Sequence, residues 1–424
     1  MNWIELPDLA AVALLAGAFA SVARRGHTAV SRIWLIGWLV VVLHFAAFLF
    51  LTVPGIWAKV AEAIGLSALT LAGLLFMWSS VPYRGRNSSR WIFAALFITN
   101  TLYLFLLSGC PQADWALTPV SILFGGLPLV ISLVALPKLN HPLRWTLDGL
   151  YCALSIFLLI YQHRPGNGDA LALDAVLVTV YLGCAIHFWY AYRRVTTGAF
   201  ITISGFLAWA SVFVVAQAMA AYWPQIHVES GVWNLPKYVV AVGMILLLLE
   251  DQIEHNRHLA LHDYLTGLPN RRLFQDRLTG ALERARRAGK TAALLVIDLD
   301  HFKQVNDTLG HHVGDLLLQC VGQMFSGRVR RSDTVARTGG DEFSVILEAP
   351  TSREEAMRVG QSLMQILHEP LELDQHRVKI SASFGISMFP EDAVEMEALC
   401  IAADLGMYDK KISRTKREEA DPEI

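Results

Sequence analysis

Apolar residues dominate the first 249 positions in about nine long runs, near 6–23, 33–53, 62–81, 91–108, 118–136, 145–161, 171–192, 199–223 and 235–249. A helix needs ~20 mostly apolar residues to cross a bilayer, so each run predicts a membrane-spanning helix. The first, fourth, sixth and ninth are short. After Leu249 the pattern changes abruptly to Glu250-Asp251-Gln252-Ile253-Glu254-His255-Asn256. Nothing breaks a helix there, and Leu246, Leu249, Ile253, Asn256 and Ala260 fall at alternating spacings of three and four. Either a short coiled-coil seam or a plain surface helix fits that pattern. Beyond it the periodic segments shorten. They predict helices at 271–288, 313–330, 352–368 and 396–412, and strands at 292–299, 333–337, 343–348 and 376–389. Asn270 is placed to cap the first of these helices, whose apolar face would be Leu273, Leu278 and Leu282. The expected architecture is an all-α polytopic membrane domain (1–249), a connecting helix (250–262) and an α/β domain (263–424) built as an antiparallel sheet packed on helices.

Charge supports the division. Of 72 charged residues, 21 precede position 250 and 51 follow it, and all twelve tryptophans lie at or before Trp233. Trp34, Trp57, Trp78, Trp91, Trp145 and Trp223 sit near predicted helix ends, as an interfacial belt requires. Alternate connections differ in basic residues. One set carries Arg24, Arg25, Arg32, Arg84, Arg86, Arg90, Lys138, Arg144, Arg193 and Arg194; the other carries Lys59, Arg164 and Lys237. The positive-inside rule puts the first set in the cytoplasm and the N-terminus outside, so that nine crossings deliver residue 250 to the cytoplasm. Glu5 and Asp8 before the first run, with arginines after it, argue against a cleaved signal peptide. Within the runs, His44, Asn100, His187 and Gln217 suit interhelical hydrogen bonds better than a ligand cavity. The scattered Cys110, Cys152, Cys184, Cys320 and Cys400 suggest neither a disulfide framework nor a zinc site. No basic, aromatic-interleaved patch marks the second half, so nucleic acid is not an expected partner.

The candidate chemistry lies at Arg337-Thr338-Gly339-Gly340-Asp341-Glu342-Phe343, between two strand-like runs. The glycine pair reads as a tight hairpin turn in which positive φ is tolerated. Two acids follow the turn, and a solvated hairpin would explain them equally well. Asp298 ends an apolar strand and Asp341 and Glu342 open another; if those strands are neighbours, the carboxylates converge on one edge, as binding a hard metal ion requires. Upstream stand Asp298-Leu299-Asp300-His301-Phe302-Lys303-Gln304-Val305-Asn306-Asp307 and Gly310-His311-His312-Val313-Gly314-Asp315. In isolation Phe302 reads as core, Lys303 as a surface charge, and Asn306 and Asp315 as turn and cap residues.

Taken together with the opening signature Asp263-Tyr264-Leu265-Thr266-Gly267-Leu268-Pro269-Asn270-Arg271-Arg272, these segments resemble the GGDEF family, the diguanylate cyclases that join two GTP into cyclic di-GMP. The resemblance covers about His262 to Lys411 and implies a βαββαβ-like core similar to polymerase palms and class III nucleotide cyclases. It implies Mg²⁺, or Mn²⁺ in its place, about two per site, held by Asp298, Asp341 and the carbonyl of Leu299. It makes Asp341 the acceptor of the 3′-hydroxyl proton, Glu342 its companion acid and Lys303 a phosphate contact. Gly339 and Gly340 would admit the phosphates. Asn306 and Asp315 would read guanine, Phe302 and His311 would line the substrate site, and Lys411 would bind phosphate. Arg330 and Asp333 match the family's inhibitory Arg-x-x-Asp motif, although a helix-end arginine and a turn aspartate explain them too. One departure is the C-terminal arginine position, which holds Thr415, with Arg414 one residue early.

The resemblance therefore implies a bacterial inner-membrane diguanylate cyclase acting as a homodimer, with one GTP per protomer and cyclic di-GMP as feedback ligand. The alternative is a catalytically silent receptor that binds GTP or cyclic di-GMP on the same fold. A transporter with a regulatory tail rests on the span count alone, without paired Gly/Pro-broken helices.

Overall fold

The computed structural model describes residues 3–26, 28–80, 87–109, 114–135, 141–161, 168–192, 196–350 and 352–420. The chain divides into two compact units, Met1–Ile253 and Glu254–Ile424.

In the first unit the described residues form nine α-helices: α1 (Leu6–Gly26), α2 (Ala29–Phe48), α3 (Ile56–Ser79), α4 (Asn87–Gly109), α5 (Asp114–Ala135), α6 (His141–Tyr161), α7 (Gly168–Ala191), α8 (Thr197–Tyr222) and α9 (Ser230–Leu261). Six are long and apolar enough to cross a membrane: Trp3–Arg24, Ala29–Phe48, Ile56–Ser79, Leu171–Ala191, Thr197–Tyr222 and Gly231–Leu261. Phe93–Gly109, Trp115–Val130 and Trp145–Ile160 are shorter apolar stretches. The first and ninth helices are thus not short. The ninth starts at Ser230, with Pro236 inside its second turn. It also runs on unbroken to Leu261, through the expected seam.

The helical core is aromatic. Tyr181 stacks on Trp209 at 4.0 Å, and Trp34 stacks on Phe188 at 5.5 Å. Trp34 is therefore a core residue rather than an interfacial one; its indole N–H donates to Ser79 Oγ at 2.6 Å. Trp57, Trp91, Trp145 and Trp223 are exposed. Two of the four expected polar residues bond between helices: His44 to Gly65 O at 2.9 Å, and Gln217 to Asp174 at 2.6 Å. His187 bonds instead to Gly183 O of its own helix at 2.8 Å. The Asn100 amide has no hydrogen-bond partner among the described residues. Lys237, counted above as a connecting-loop charge, lies inside α9 and is 7% exposed. Half of the other basic connection residues (Arg84, Arg86, Lys138, Arg164, Arg193, Arg194) and Cys110 fall outside the described residues.

The second unit contains α10 (Arg271–Ala288), β1 (Ala292–Asp300), α11 (Phe302–Leu309), α12 (His311–Arg328), β2 (Thr334–Arg337), β3 (Glu342–Glu348), α13 (Arg353–Gln365), β4 (Leu371–Leu373), β5 (His376–Val378), β6 (Ser381–Phe389) and α14 (Met396–Ala420). Four strands form an antiparallel sheet in the order β2-β3-β1-β6, and β4 and β5 form a separate hairpin. The βαββαβ order is present, with that hairpin inserted before the last strand. β1 lies in the middle and is buried on both faces, which explains its unbroken apolar run.

One face carries Leu295, Ile297, Phe343 and Val345 against Val313, Leu317 and Phe325 of α12 and Leu363 of α13. The other carries Leu294, Val296 and Ile346 against Phe274, Leu278 and Leu282 of α10 and Leu399 and Ala403 of α14. Leu273 is only half-buried; Phe274 takes its place on the inner face. Asn270 caps α10 as expected, accepting from the N–H groups of Arg272 and Leu273 at 3.0 and 3.1 Å. α14 lies directly on β6: a Cβ on Gly385 would sit 1.9 Å from Ala403 O and 2.4 Å from Met407 N.

Two expectations fail locally. The run 376–389 is not one strand but β5 and β6, with Lys379 and Ile380 between them. The segment before α12 contains a separate helix, α11, whose eight residues are too few to declare a period. His301 at φ 58° precedes it and Gly310 at φ 87° follows it, both in the left-handed region that ends regular structure.

Candidate active site

The sheet register brings the expected carboxylates together. Asp298 of β1 stands directly opposite Glu342 of β3, and Leu299 N–H donates to Asp341 O at 3.2 Å. Three acids therefore share the end of two central strands. The four residues Thr338–Asp341 connect β2 to β3, so the turn is wider than a two-residue hairpin. Neither Gly339 nor Gly340 has the expected positive φ. A Cβ on Gly339 would lie 2.5 Å from Glu342 Oε2, so the Glu342 side chain would have to shift to admit it, whereas one on Gly340 would meet open space.

The electrostatics are those of crowded acids. Burial, then the charges of Asp298, Asp341 and Asp404, hold Glu342 above the ordinary carboxylate range, and Arg271 only partly offsets them. Burial also raises Asp404, again against Arg271. The Lys411 ammonium sits 2.5 Å from Asp298 Oδ1. Burial would lower Lys411, but the bond to Asp298 and the charges of Asp298, Asp300 and Asp341 outweigh it and raise it.

Such an edge calls for a cation. Asp298, Asp341 and the Leu299 carbonyl supply hard oxygen donors, and Lys411 already places a positive charge on Asp298. Among the described residues no group of three or more His, Cys, Asp or Glu converges as a metal site. The donor set fits Mg²⁺, which commonly takes one or two carboxylates and completes its shell with water and substrate phosphate.

The remaining expected residues lie on α11 and α12. A Cβ on Gly314 would fall 1.9 Å from Asn306 Oδ1 and 3.4 Å from Phe302 Cζ, so the missing side chain lets α11 settle on α12. Phe302 packs on the sheet core, as a structural residue would. Lys303, His311 and Asp315 are exposed, while Asn306 is half-buried. The Arg330–Asp333 pair forms a turn apart from the paired acids. Asp333 accepts from Arg330 N–H at 3.0 Å and from Glu348 N–H at 3.1 Å, and the Arg330 guanidinium reaches Glu355 at 3.0 Å. Side chains beyond Lys411, including Arg414 and Thr415, lie outside the described residues.

Sequence reasoning missed the support beneath the loop. Arg337 donates to Gly340 O through Nε and Nη2 at 3.1 and 2.7 Å, and through Nη1 to Asp263 at 2.9 Å. Burial would raise Asp263, but bonds from Thr266 and Arg337 hold it below the usual carboxylate range. The chain just after α9 is thereby tied to the glycine loop. Position alone was the available signal, since Arg337 immediately precedes the loop and Asp263 opens the domain. Asp300 is a second omission: it is buried and accepts from Ser381 and Ser383 at 2.9 Å each, bracing β1 against β6.

The domain is thus an antiparallel sheet flanked by helices, with paired carboxylates beside a glycine loop. Residues 260–417 match the family described as "Diguanylate cyclase, GGDEF domain". This segment is a GGDEF domain, and it follows a helical region with several apolar helices of membrane-spanning length. The bifunctional diguanylate cyclase/cyclic di-GMP phosphodiesterase MucR of Pseudomonas aeruginosa is 41% identical over 188 residues, 41% of this chain and 27% of MucR. Diguanylate cyclase TpbB of the same species is 40% identical over 181 residues, 42% of each chain. The chain thus spans less than half of the length of either relative. A solved structure of the TpbB GGDEF domain is 40% identical, covering 36% of this chain and 89% of that one, with a TM-score of 0.35.

Proposed function

We propose that this chain is a membrane-bound diguanylate cyclase that condenses two GTP into cyclic di-GMP and two pyrophosphate. The observation that carries the reading is the register pairing of Asp298 with Glu342, beside Asp341 and the Gly339-Gly340 loop. Two such sites on facing protomers would each present one GTP. Each 3′-hydroxyl oxygen attacks the partner's α-phosphorus, pyrophosphate leaves, and Asp341 takes the hydroxyl proton. When bound at Asp298, Asp341 and the Leu299 carbonyl, Mg²⁺ supplies charge neutralisation and acidifies the attacking hydroxyl. Burial and its acidic neighbours hold the Glu342 carboxyl above the ordinary range, and a positive charge bound beside it would relieve that crowding. Lys411 exchanges Asp298 for substrate phosphate. Lys303 adds a second phosphate contact, and His311 with Phe302 lines the substrate site. Asn306 and Asp315 accept the paired N–H donors of guanine that adenine lacks.

The helical region spans the inner membrane with the N-terminus outside and the GGDEF domain in the cytoplasm. Arg330 and Asp333 bind the product and slow turnover. Purified full-length protein given GTP and Mg²⁺ should release one cyclic di-GMP per two GTP consumed. GTP recovered intact from protein that nonetheless binds it would identify a silent receptor instead.

A further inference from the structure

The helical unit hides a charged network that catalysis does not use. Asp8, in the first turn of α1, and Lys237, early in α9, are 9% and 7% exposed. Asp8 Oδ2 accepts from Asn234 Nδ2 at 2.6 Å, and Asp8 Oδ1 accepts from the Tyr238 hydroxyl at 2.5 Å. Asn234 Oδ1 in turn accepts from Lys237 Nζ at 2.5 Å. The ammonium faces the Phe45 ring of α2 at 4.6 Å and the Trp209 ring of α8 at 5.9 Å. Glu5 is close enough for its charge to act on both Asp8 and Lys237. One positive and one negative group are thus taken out of solvent together, joined through an amide. Such a unit is all-or-none, because removing either charge strands the other.

Its position gives it leverage. Fourteen residues beyond both Asp8 and Tyr238, the same two helices meet again, where Gln252 Nε2 donates to Val22 O at 2.9 Å. Helices α1 and α9 therefore run parallel and in register, fastened at points ~21 Å apart. Along most of α8 the contact is between backbones. Cβ atoms on Gly198 and Gly205 would lie 2.6 and 3.0 Å from the backbone N of Leu247 and Val240, and one on Gly243 would lie 2.6 Å from Thr202 N. Small residues of this kind let backbones touch without interlocking side chains. What fixes α9 lengthwise is then polar: the Asp8 network at one end, and at the other Gln252 on Val22 O together with Glu250 Oε1, which accepts from Gly198 N–H of α8 at 3.0 Å.

We propose that Asp8, Asn234, Lys237 and Tyr238 form a charge clamp that sets the register of α9, and that opening it is how the helical region changes the output of the GGDEF domain. The output half of this proposal rests on the cyclase reading above; the clamp itself does not. The full-length protein in lipid nanodiscs should be compared with Asp8→Asn, Lys237→Met, the double variant and Tyr238→Phe. Amide hydrogen exchange across residues 254–261 is read alongside cyclic di-GMP formation from GTP and Mg²⁺. Exchange should rise about fivefold or more in each charge variant, with no further rise in the double variant because the two act as one unit. Tyr238→Phe, which removes one bond and no charge, should show a smaller rise. Turnover should shift by about threefold or more in the variants whose exchange has risen. Wild-type exchange in Tyr238→Phe and in every charge variant that folds would overturn the clamp. Raised exchange with unchanged turnover would overturn its regulatory role. A wild type that forms no cyclic di-GMP would refute the cyclase reading, while the exchange data would still judge the clamp.

Discussion

In the helical unit large apolar side chains such as Leu14, Leu39, Ile122 and Phe200 point outward, and Asp8, Lys237 and His44 lie inside. The GGDEF domain reverses the arrangement: the apolar residues of β1 and β3 are buried, and Lys303, Asp315 and Glu342 stand exposed at the rim. The contrast is one of solvent. Lipid accepts apolar surface freely, so under the membrane-bound reading proposed above the helical unit would gain specificity from the few polar groups it encloses. Water rewards apolar burial, so the domain closes its sheet and leaves polar chemistry to strand ends and loops. A substitution in the first unit should therefore act through helix position, and one in the second through chemistry at the rim.

The largest effect should come from Asp298→Asn, which removes a charge from the carboxylate edge and loosens Lys411 at once. Turnover should fall about a thousandfold, as expected when several kcal/mol of transition-state charge goes uncompensated. Single-turnover kinetics at saturating GTP measures this, and a loss below tenfold would break the assignment. Next comes Gly314→Ala. The new methyl would overlap the Asn306 side chain and touch Phe302, so Asn306 must turn away or α11 must shift. Overpacking of this sort costs about 1–3 kcal/mol, read from urea unfolding of the domain, and KM for GTP should rise more than kcat falls.

A smaller effect separates chemistry from support. Arg337→Lys keeps the charge but loses the fork that holds Gly340 O and Asp263 together. Turnover should drop by about tenfold or less with GTP affinity nearly unchanged. The pH dependence has a definite sign. Asp263 is held below its unfolded value, so its contribution is complete above that value and disappears as pH falls through the folded one. Weakening Arg337 narrows that gap, and acid unfolding of the domain should begin at higher pH in the variant, as circular dichroism would record.

The smallest structural effect belongs to Arg330→Ala. Its pair with Glu355 is mostly solvent-exposed on the arginine side, so stability should change by less than about 1 kcal/mol. Slowing of progress curves by accumulated cyclic di-GMP should nevertheless disappear. Curves that slow identically in variant and wild type would assign Arg330 and Asp333 to turn and surface roles alone.

Legibility followed the same division. β1, β3 and α10 were readable because long apolar runs and an N-cap declare themselves, and the convergence of Asp298 with Glu342 followed once the two strands proved to be neighbours. α11 was not readable, because eight residues between two left-handed positions carry too little period. The glycine loop was read correctly in place and wrongly in cause, since spacing does not reveal that Glu342 packs over Gly339. In the helical unit Lys237 looked like a loop charge and Trp34 like an interfacial anchor. Both misreadings have one origin: hydropathy reports how a residue transfers to lipid, not which neighbours it meets inside the bundle.

The central claim is that the paired carboxylate edge converts GTP. Full-length protein and its Asp341→Ala variant, both shown to bind GTP, should be followed with Mg²⁺ for appearance of cyclic di-GMP and pyrophosphate. Wild type is predicted to form both in a one-to-two ratio, and the variant to form neither at a measurable rate. Equal product from the two proteins would contradict the account.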